Sequence, residues 1–260
     1  MCERSDARKG GATVQVLGLD IGGSGIKGAL VDVVEGALVT PRYRIPTPSP
    51  ATPEAMVETA ALVVQHFGWR GPIGCGFPAV TKGGIVLTAA NISPRWIGVN
   101  GQQMLEQATG SPVLLLNDAD VAGIAEMRFG AGRGRNGLVL MLTVGTGIGT
   151  ALFLDGKLVP NTELGHIEIR GRDAERRASD GTRERKGWSY ATWAPRFDEY
   201  LQRISALLWP DLIIIGGGAS RDFEKFARFL TIRVEVEPAQ LRNEAGIIGA
   251  AIAAHEQVAL

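Results

Sequence analysis

A chain of 260 residues, 45% hydrophobic and 21% charged, is long enough for one large folded domain or two modest ones. Its 27 basic and 27 acidic residues cancel, so no overall charge recruits nucleic acid. Cys2 and Cys75 are too few and too unlike in setting for a disulfide framework or a thiolate zinc site, which is the profile of a reducing compartment. Residues 1–12 are charged, lack an apolar h-region, and read as a disordered tail rather than a signal peptide. No apolar run reaches bilayer length, so a cytoplasmic protein with no membrane partner is expected.

Residues 14–19 form a β-branched and apolar run that predicts a buried strand, broken at Asp20-Ile21-Gly22-Gly23-Ser24-Gly25. The apolar pattern resumes over 26–34, giving strand, glycine turn, strand. Five prolines in residues 41–53 predict no regular structure there. Thr52-Pro53-Glu54 reads as an N-cap, a first-turn proline and an early acid, opening a helix over 56–67. A strand is predicted within 71–77, a short helix over 102–109, and a buried strand over 112–116 that ends at Asn117-Asp118, with a helix from Val121. The second half repeats the logic. Strand 138–144 runs into Gly145-Thr146-Gly147-Ile148-Gly149, and strand 151–154 and an Asp155-Gly156 turn come next. A long helix over 189–208, a strand over 212–215 ending at Gly216-Gly217-Gly218, and a closing helix over 243–258 complete the pattern. Two strand–turn–strand openings among alternating strands and helices predict two α/β lobes.

The two glycine turns carry the first chemical signal. Glycines let backbone N–H groups converge on an anion, and a small hydroxyl adds a donor. In the first turn Asp20 can hold a hydrated Mg²⁺ beside a phosphate. Such hairpins also serve purely structural ends, but two in one chain favour phosphate binding. Neither is a Walker loop or a dinucleotide fingerprint, because each turn leads into an apolar strand and not a helix. Asp118, at a strand end, can accept the proton of an attacking alcohol while Asn117 bonds a neighbouring hydroxyl; the alternative is an Asx cap on the next helix. Glu163 and His166 flank Gly165, where a carboxylate and an imidazole can bind adjacent hydroxyls. Asn91 can reach a small ligand or simply shape a turn. The run 170–186 holds six arginines and Lys186 against four acids, and reads either as solvated surface or as a track for a polyanion, with Arg128, Arg133 and Arg135 as contributors.

Five motifs in order, DIGGSGIKGALVD, LNDADVAGIAEMRFGAG, LTVGTGIGTALFLDGKL, ELGHIEI and IIIGGG, resemble the ROK family of sugar kinases within the actin/hexokinase superfamily. The resemblance spans residues 14 to about 253, and the segments PTPSPATPEAM, TAANISPRWIGVNG and WPDLIIIGGGAS are similar to its polyphosphate-using branch. It implies a two-lobed actin-like ATPase (ribonuclease H-like) α/β fold with the active site in the interlobe cleft. The implied lobes are residues 13–117 and 118–243, with a C-terminal helix over about 244–260 that can pack back on the first. It implies Asp118 as catalytic base and Asn91, Asn117, Asp118, Glu163 and His166 as hexose ligands. Glu175 is the third sugar acid, with Glu168 the competitor. The family's cysteine-rich zinc segment is missing, so no structural zinc is expected. Asp20, Gly22, Gly23, Ser24, Lys27, Thr146, Gly147, Gly217 and Gly218 are the implied phosphate and nucleotide contacts, with Gly216–Gly218 on the adenosine side and Mg²⁺ held at Asp20 through water. Ser24 stands where threonine is commoner, and Ala79 where many relatives carry glycine. The expected reaction is phosphorylation of glucose, or mannose, at the 6-hydroxyl with polyphosphate, ATP or both as donor. The alternative is an ATP-only kinase for another hexose or an N-acetylhexosamine. The family's repressors carry an added N-terminal helix-turn-helix, and a first strand at Val14 leaves no room for one. A homodimer is expected.

Overall fold

In the computed structural model, which describes residues 13–90 and 92–258, the turn at residues 22–25 folds two apolar runs onto each other. The expected tail at 1–12 and Asn91 lie outside the described residues. Strands β1 (Gln15–Ile21) and β2 (Ile26–Asp32) pair antiparallel, with Asp20 opposite Lys27. Strands β3 (Ala37–Leu38) and β4 (Tyr43–Ile45) both pair with β2. β4 corrects the expectation that residues 41–53 hold no regular structure. Pro41 and Pro46 lie outside its three-residue ladder, so neither removes a bond from it. Helix α1 (Pro53–His66) starts where the cap signal puts it, with the Thr52 hydroxyl accepting the Ala55 N–H. Strand β5 (Ile73–Phe77) runs parallel to β1, and a small ribbon of β6 (Thr81–Lys82) and β7 (Ile85–Val86) comes after it. Helix α2 (Gly101–Thr109) is capped by Asn100 and closed by left-handed Gly110, and β8 (Val113–Asn117) then pairs parallel with β5. Helix α3 (Asp118–Phe129) begins three residues before the expected Val121, because the Asn117 side chain accepts the Ala119 and Asp120 N–H groups.

The second sheet is built from β9 (Leu138–Val144), β10 (Ile148–Leu154) and β11 (Lys157–Val159), an antiparallel meander. A two-stranded ribbon, β12 (Glu168–Ile169) with β13 (Arg172–Asp173), precedes α4 (Glu175–Ala178), α5 (Asp180–Arg185) and the long α6 (Tyr190–Leu208). Strand β14 (Leu212–Gly216) lies parallel to β9; α7 (Phe223–Ala227) leads to β15 (Glu235–Pro238), parallel to β14, and α8 (Ala245–Val258) ends the described chain. The orders β2-β1-β5-β8 and β10-β9-β14-β15 repeat one plan, a hairpin extended by two parallel strands.

The two sheets sandwich α3 and α8. Val16 and Val31 of the first sheet, Val139 and Phe153 of the second, Ala125 of α3 and Ile248 of α8 share one buried cluster. Helices α1 and α2 cover the outer face of the first sheet, through Met56, Val63 and Leu105. Helix α6 covers the second, with Trp193 stacked on Phe197 at 4.8 Å between ring centres. Helix α8 sits so close to the first sheet that a Cβ at Gly18 or Gly74 would overlap the carbonyl of Ile247 or Ala250. These glycines are notches for a helix backbone.

The arginine run at 170–186 does not stand free. Arg170 and Arg177 bond Glu199 of α6, Arg183 bonds Asp180, and Arg176 lies 3.7 Å from Asp173. Arg135 pairs with Glu235 and Glu237, and Arg128 with Glu256. Ala174 and Ala178 of the run are buried. Four of the run's seven cations are thus answered within the chain, whereas Arg172, Arg185 and Lys186 have no carboxylate within 4.0 Å among the described residues.

Candidate active site

Strand β8 delivers Asp118 to the first turn of α3, half-buried, where Asn117 has taken over the capping bonds. Burial first, then the negative charges of Asp20, Glu163 and Asp120, push its carboxyl up to about 7. Asn117 also donates to the Ala79 carbonyl at 3.2 Å, so it is committed to the protein as well as adjacent to the base. Asp120, two residues on, is 1% exposed and is likewise pushed up, to about 6, by burial and by Glu163. One oxygen of Asp120 accepts the Asn161 N–H at 2.9 Å; the other is buried and has no partner among the described residues.

The loop before Gly165 is fixed from both sides. Asp120 holds Asn161, and the Thr150 hydroxyl of β10 donates to the Thr162 carbonyl and accepts the Leu164 N–H. Asn161, in the left-handed region at φ 59°, also uses its side chain to accept the Thr81 N–H and donate to the Thr81 carbonyl, tying this loop to the first sheet's ribbon. Glu163 is thereby held near Asp118, its carboxyl raised chiefly by burial and further by Glu175, against the lowering effect of His166. His166 lies between two acids, 3.5 Å from Glu163 and 3.6 Å from Asp173. Glu175 accepts the Ile148 N–H at 3.2 Å and lies against Gly147, where a Cβ would overlap it. Glu168, its competitor, is exposed on β12 opposite Asp173. The structure brings Glu175 to the second glycine turn.

Both turns close tightly: Gly22 N–H donates to the Gly25 carbonyl at 3.1 Å and Gly145 N–H to the Gly147 carbonyl at 3.0 Å. Gly23, Ser24 and Thr146 are exposed at the tips. Lys27 bonds Asp20 at 2.9 Å across the hairpin. Register then sets Arg44 of β4 opposite Lys27, and its guanidinium donates to the Ser24 carbonyl. Two like charges opposed on neighbouring strands are unfavourable unless an anion lies between them. Arg44 escaped the sequence reading because its strand is short and hemmed by prolines; the Tyr-Arg-Ile triplet was the signal. Asp120 and Asn161 also escaped it, and the acid at the third position of Asp-Ala-Asp was the sign for the first. Gly217, at φ 72°, brings its turn onto the backbone of Val144, where no Cβ fits, and Gly218 comes next in the turn.

A divalent cation fits only one way here. Among the described residues no three His, Cys, Asp or Glu side chains gather as a metal cage. Asp20 offers one half-buried carboxylate beside the first glycine turn, a donor suited to Mg²⁺ whose remaining ligands are water and other oxygens.

Residues 16–184 match the ROK family profile. The chain belongs to the ROK family. It is 49% identical over 246 residues to the polyphosphate glucokinase of Mycobacterium tuberculosis, covering 94% of this chain and 93% of that one. Its structure superposes on an inorganic polyphosphate/ATP-glucomannokinase from Arthrobacter sp. strain KM with a TM-score of 0.91 and 46% identity, covering 94% and 99% of the two chains. A ROK glucokinase from Streptomyces griseus, solved with glucose and AMPPNP, matches at a TM-score of 0.79 and 26% identity over 94% and 100%. The two-lobed actin-like fold is that of these ROK kinases.

Proposed function

We propose that this ROK protein transfers a phosphoryl group from inorganic polyphosphate, or from ATP, to the 6-hydroxyl of glucose. The observation that carries the reading is Asp118: a carboxyl raised to about 7, set near Asp20 of the first glycine turn and near Glu163. Such a group holds a proton weakly enough to exchange it near neutrality. Glu163, His166 and Glu175 are the sugar's hydroxyl partners, and Asn117 orients the base. Asp118 takes the proton of the 6-hydroxyl as that oxygen attacks the terminal phosphorus. The bond to the bridging oxygen breaks, and its electron pair leaves with the shortened polyphosphate or ADP. The turns at Gly22–Ser24 and Thr146–Gly147, with Lys27, cradle the donor phosphates, and Gly217 and Gly218 border the far end of the donor. Mg²⁺ bound at Asp20 would neutralise charge on those phosphates. The likeness to the mycobacterial and Arthrobacter enzymes supports glucose as acceptor and polyphosphate as donor.

The test measures glucose 6-phosphate formed with polyphosphate and with ATP side by side. Turnover with polyphosphate, stopped by EDTA while circular dichroism stays unchanged, is expected. Turnover of an N-acetylhexosamine in preference to glucose overturns the reading, and turnover of glucose with ATP alone removes polyphosphate as donor.

A further inference from the structure

A ring of hydrogen bonds closes around the proposed sugar side of the site. Thr81, 3% exposed on β6, donates its hydroxyl to the Leu115 carbonyl of β8 at 3.3 Å. Its backbone N–H and carbonyl pair with the Asn161 side chain at 3.0 and 2.9 Å, a side-chain amide bonding a peptide as a neighbouring strand would. The Asn161 N–H then donates to the Asp120 carboxylate at 2.9 Å, and the chain runs from Asp120 back through the first turn of α3 to β8. Asp118 lies on this covalent part of the ring, and Glu163 stands two residues beyond Asn161. A second tie, from the Asn117 side chain to the Ala79 carbonyl at 3.2 Å, braces the segment before β6 against the end of β8.

Helix capping does not account for Asp120. The Asn117 side chain already accepts the Ala119 and Asp120 N–H groups, so α3 has its cap. The Asp120 carboxylate turns instead to a residue 41 positions away. It is 1% exposed, and its other oxygen is buried without a partner among the described residues, an arrangement that weakens a fold. Asn161 is held in the left-handed region at φ 59°, a further cost to a residue with a side chain. Two such costs, met at one hydrogen bond beside the base, point to a gain other than stability.

We propose that Asp120 and Asn161 are positioning residues that fix the hexose between Glu163 and Asp118, so that the 6-hydroxyl and not water meets the donor phosphorus. The inference rests on the proposed phosphorylation of glucose. With the ring intact, the loop that carries Glu163 cannot shift relative to Asp118 without breaking bonds to both α3 and β6. With the ring cut, the 6-hydroxyl drifts from the base and water enters in its place. The water oxygen then bonds to the terminal phosphorus, and its proton passes to Asp118. The bond to the bridging oxygen breaks, its electron pair leaves with the shortened donor, and orthophosphate is the second product. Donor is consumed and no sugar phosphate is made.

The experiment measures orthophosphate released per glucose 6-phosphate formed, at saturating glucose, with polyphosphate and with ATP. This ratio is independent of how much of the enzyme is folded, so a loss of stability alone leaves it unchanged. Asp120→Ala removes the acceptor of the Asn161 N–H. Asn161→Gly keeps the left-handed backbone and the bond to Asp120, and cuts only the two ties to Thr81. Each should raise the ratio about tenfold or more and lower kcat further than it raises the glucose KM, because misplacement by about 1 Å costs on the order of 10² in rate. Asp120→Asn retains an oxygen that can accept the Asn161 N–H, and its ratio should stay near that of the wild type. If Asp120→Ala does not fold, Asn161→Gly, at a half-buried loop position, carries the test alone. Should Asn161→Gly stay fully coupled, or Asp120→Asn leak as much as Asp120→Ala, the proposal falls. A wild type that makes no glucose 6-phosphate with either donor sinks the functional reading itself, whereas an active wild type with tightly coupled variants overturns only this inference.

Discussion

At Asp118 the same physics acts on activity and on stability, with opposite benefit. A carboxyl at about 7 in the fold, against roughly 3.9 in the unfolded chain, ionises with difficulty only when folded. Its charge therefore opposes folding, not at all below about pH 4 and fully above about pH 7. Asp118→Asn should abolish turnover, by about 10²–10⁴ or more. It should also raise Tm at pH 8 by roughly 2–8 °C, an advantage that fades as pH falls through 7 and is gone near pH 4. In the wild type kcat/KM should rise with pH through a limb near 7, and Asp120→Asn should move that limb down by removing one of the repelling charges. A flat profile across this range would remove Asp118 from the role of base. The proposed sugar acids separate by a second pair of variants. Glu175→Gln should raise the glucose KM about tenfold, because a charged acceptor at the second turn becomes a neutral one, while Glu168→Gln on exposed β12 should be silent. The reverse result would reassign the third acid.

At the scale of elements, the strands flanking glycine turns and the capped helix α1 were legible because periodicity and local chemistry agreed. Strand β4 was not: three residues between prolines carry no pattern of their own, and β2 supplies the ladder. Strand β15, four residues long, is likewise specified by β14, the strand it joins. Which charges of the arginine run are paired was not legible, for a different reason. Composition reports charge, whereas Glu199, which answers two of those arginines, lies on a helix more than a turn's reach away in sequence. Helix α8 illustrates packing that glycine content hints at without locating. Gly74→Ala should force the sheet from the helix and cost about 3 kcal/mol, read as a Tm loss of roughly 6–12 °C with little change in the glucose KM. A variant as stable as the wild type would show that the notch is slack.

Across the whole molecule, the lobes share their core as well as their cleft. Asn161 and Thr81 exchange bonds between them close to Glu163, Arg42 donates to the Asn243 carbonyl ahead of α8, and α3 and α8 fill the space between the sheets. The overall plan was readable because each half announces itself with a hairpin and a glycine turn. The shared middle layer was not, since an Ala/Ile-rich helix gives no sign of which sheet it will meet.

That middle layer imposes an order on the making of the protein. The first sheet has all its strands once Asn117 has been added, but the helix that seats on Gly18 and Gly74 begins at Ala245. At ribosomal speeds of about 5–20 residues per second, roughly 130 residues take some 7–26 s to add, during which only α3 covers that face of the sheet. Val16, Val31 and the two notches then offer newly made chain to any hydrophobic neighbour, including another nascent copy. A chain arrested before residue 245 should be cut rapidly by added protease and held by chaperones, and one released beyond residue 258 should resist both. If arrested chains prove equally resistant, the first lobe closes its core without its last helix.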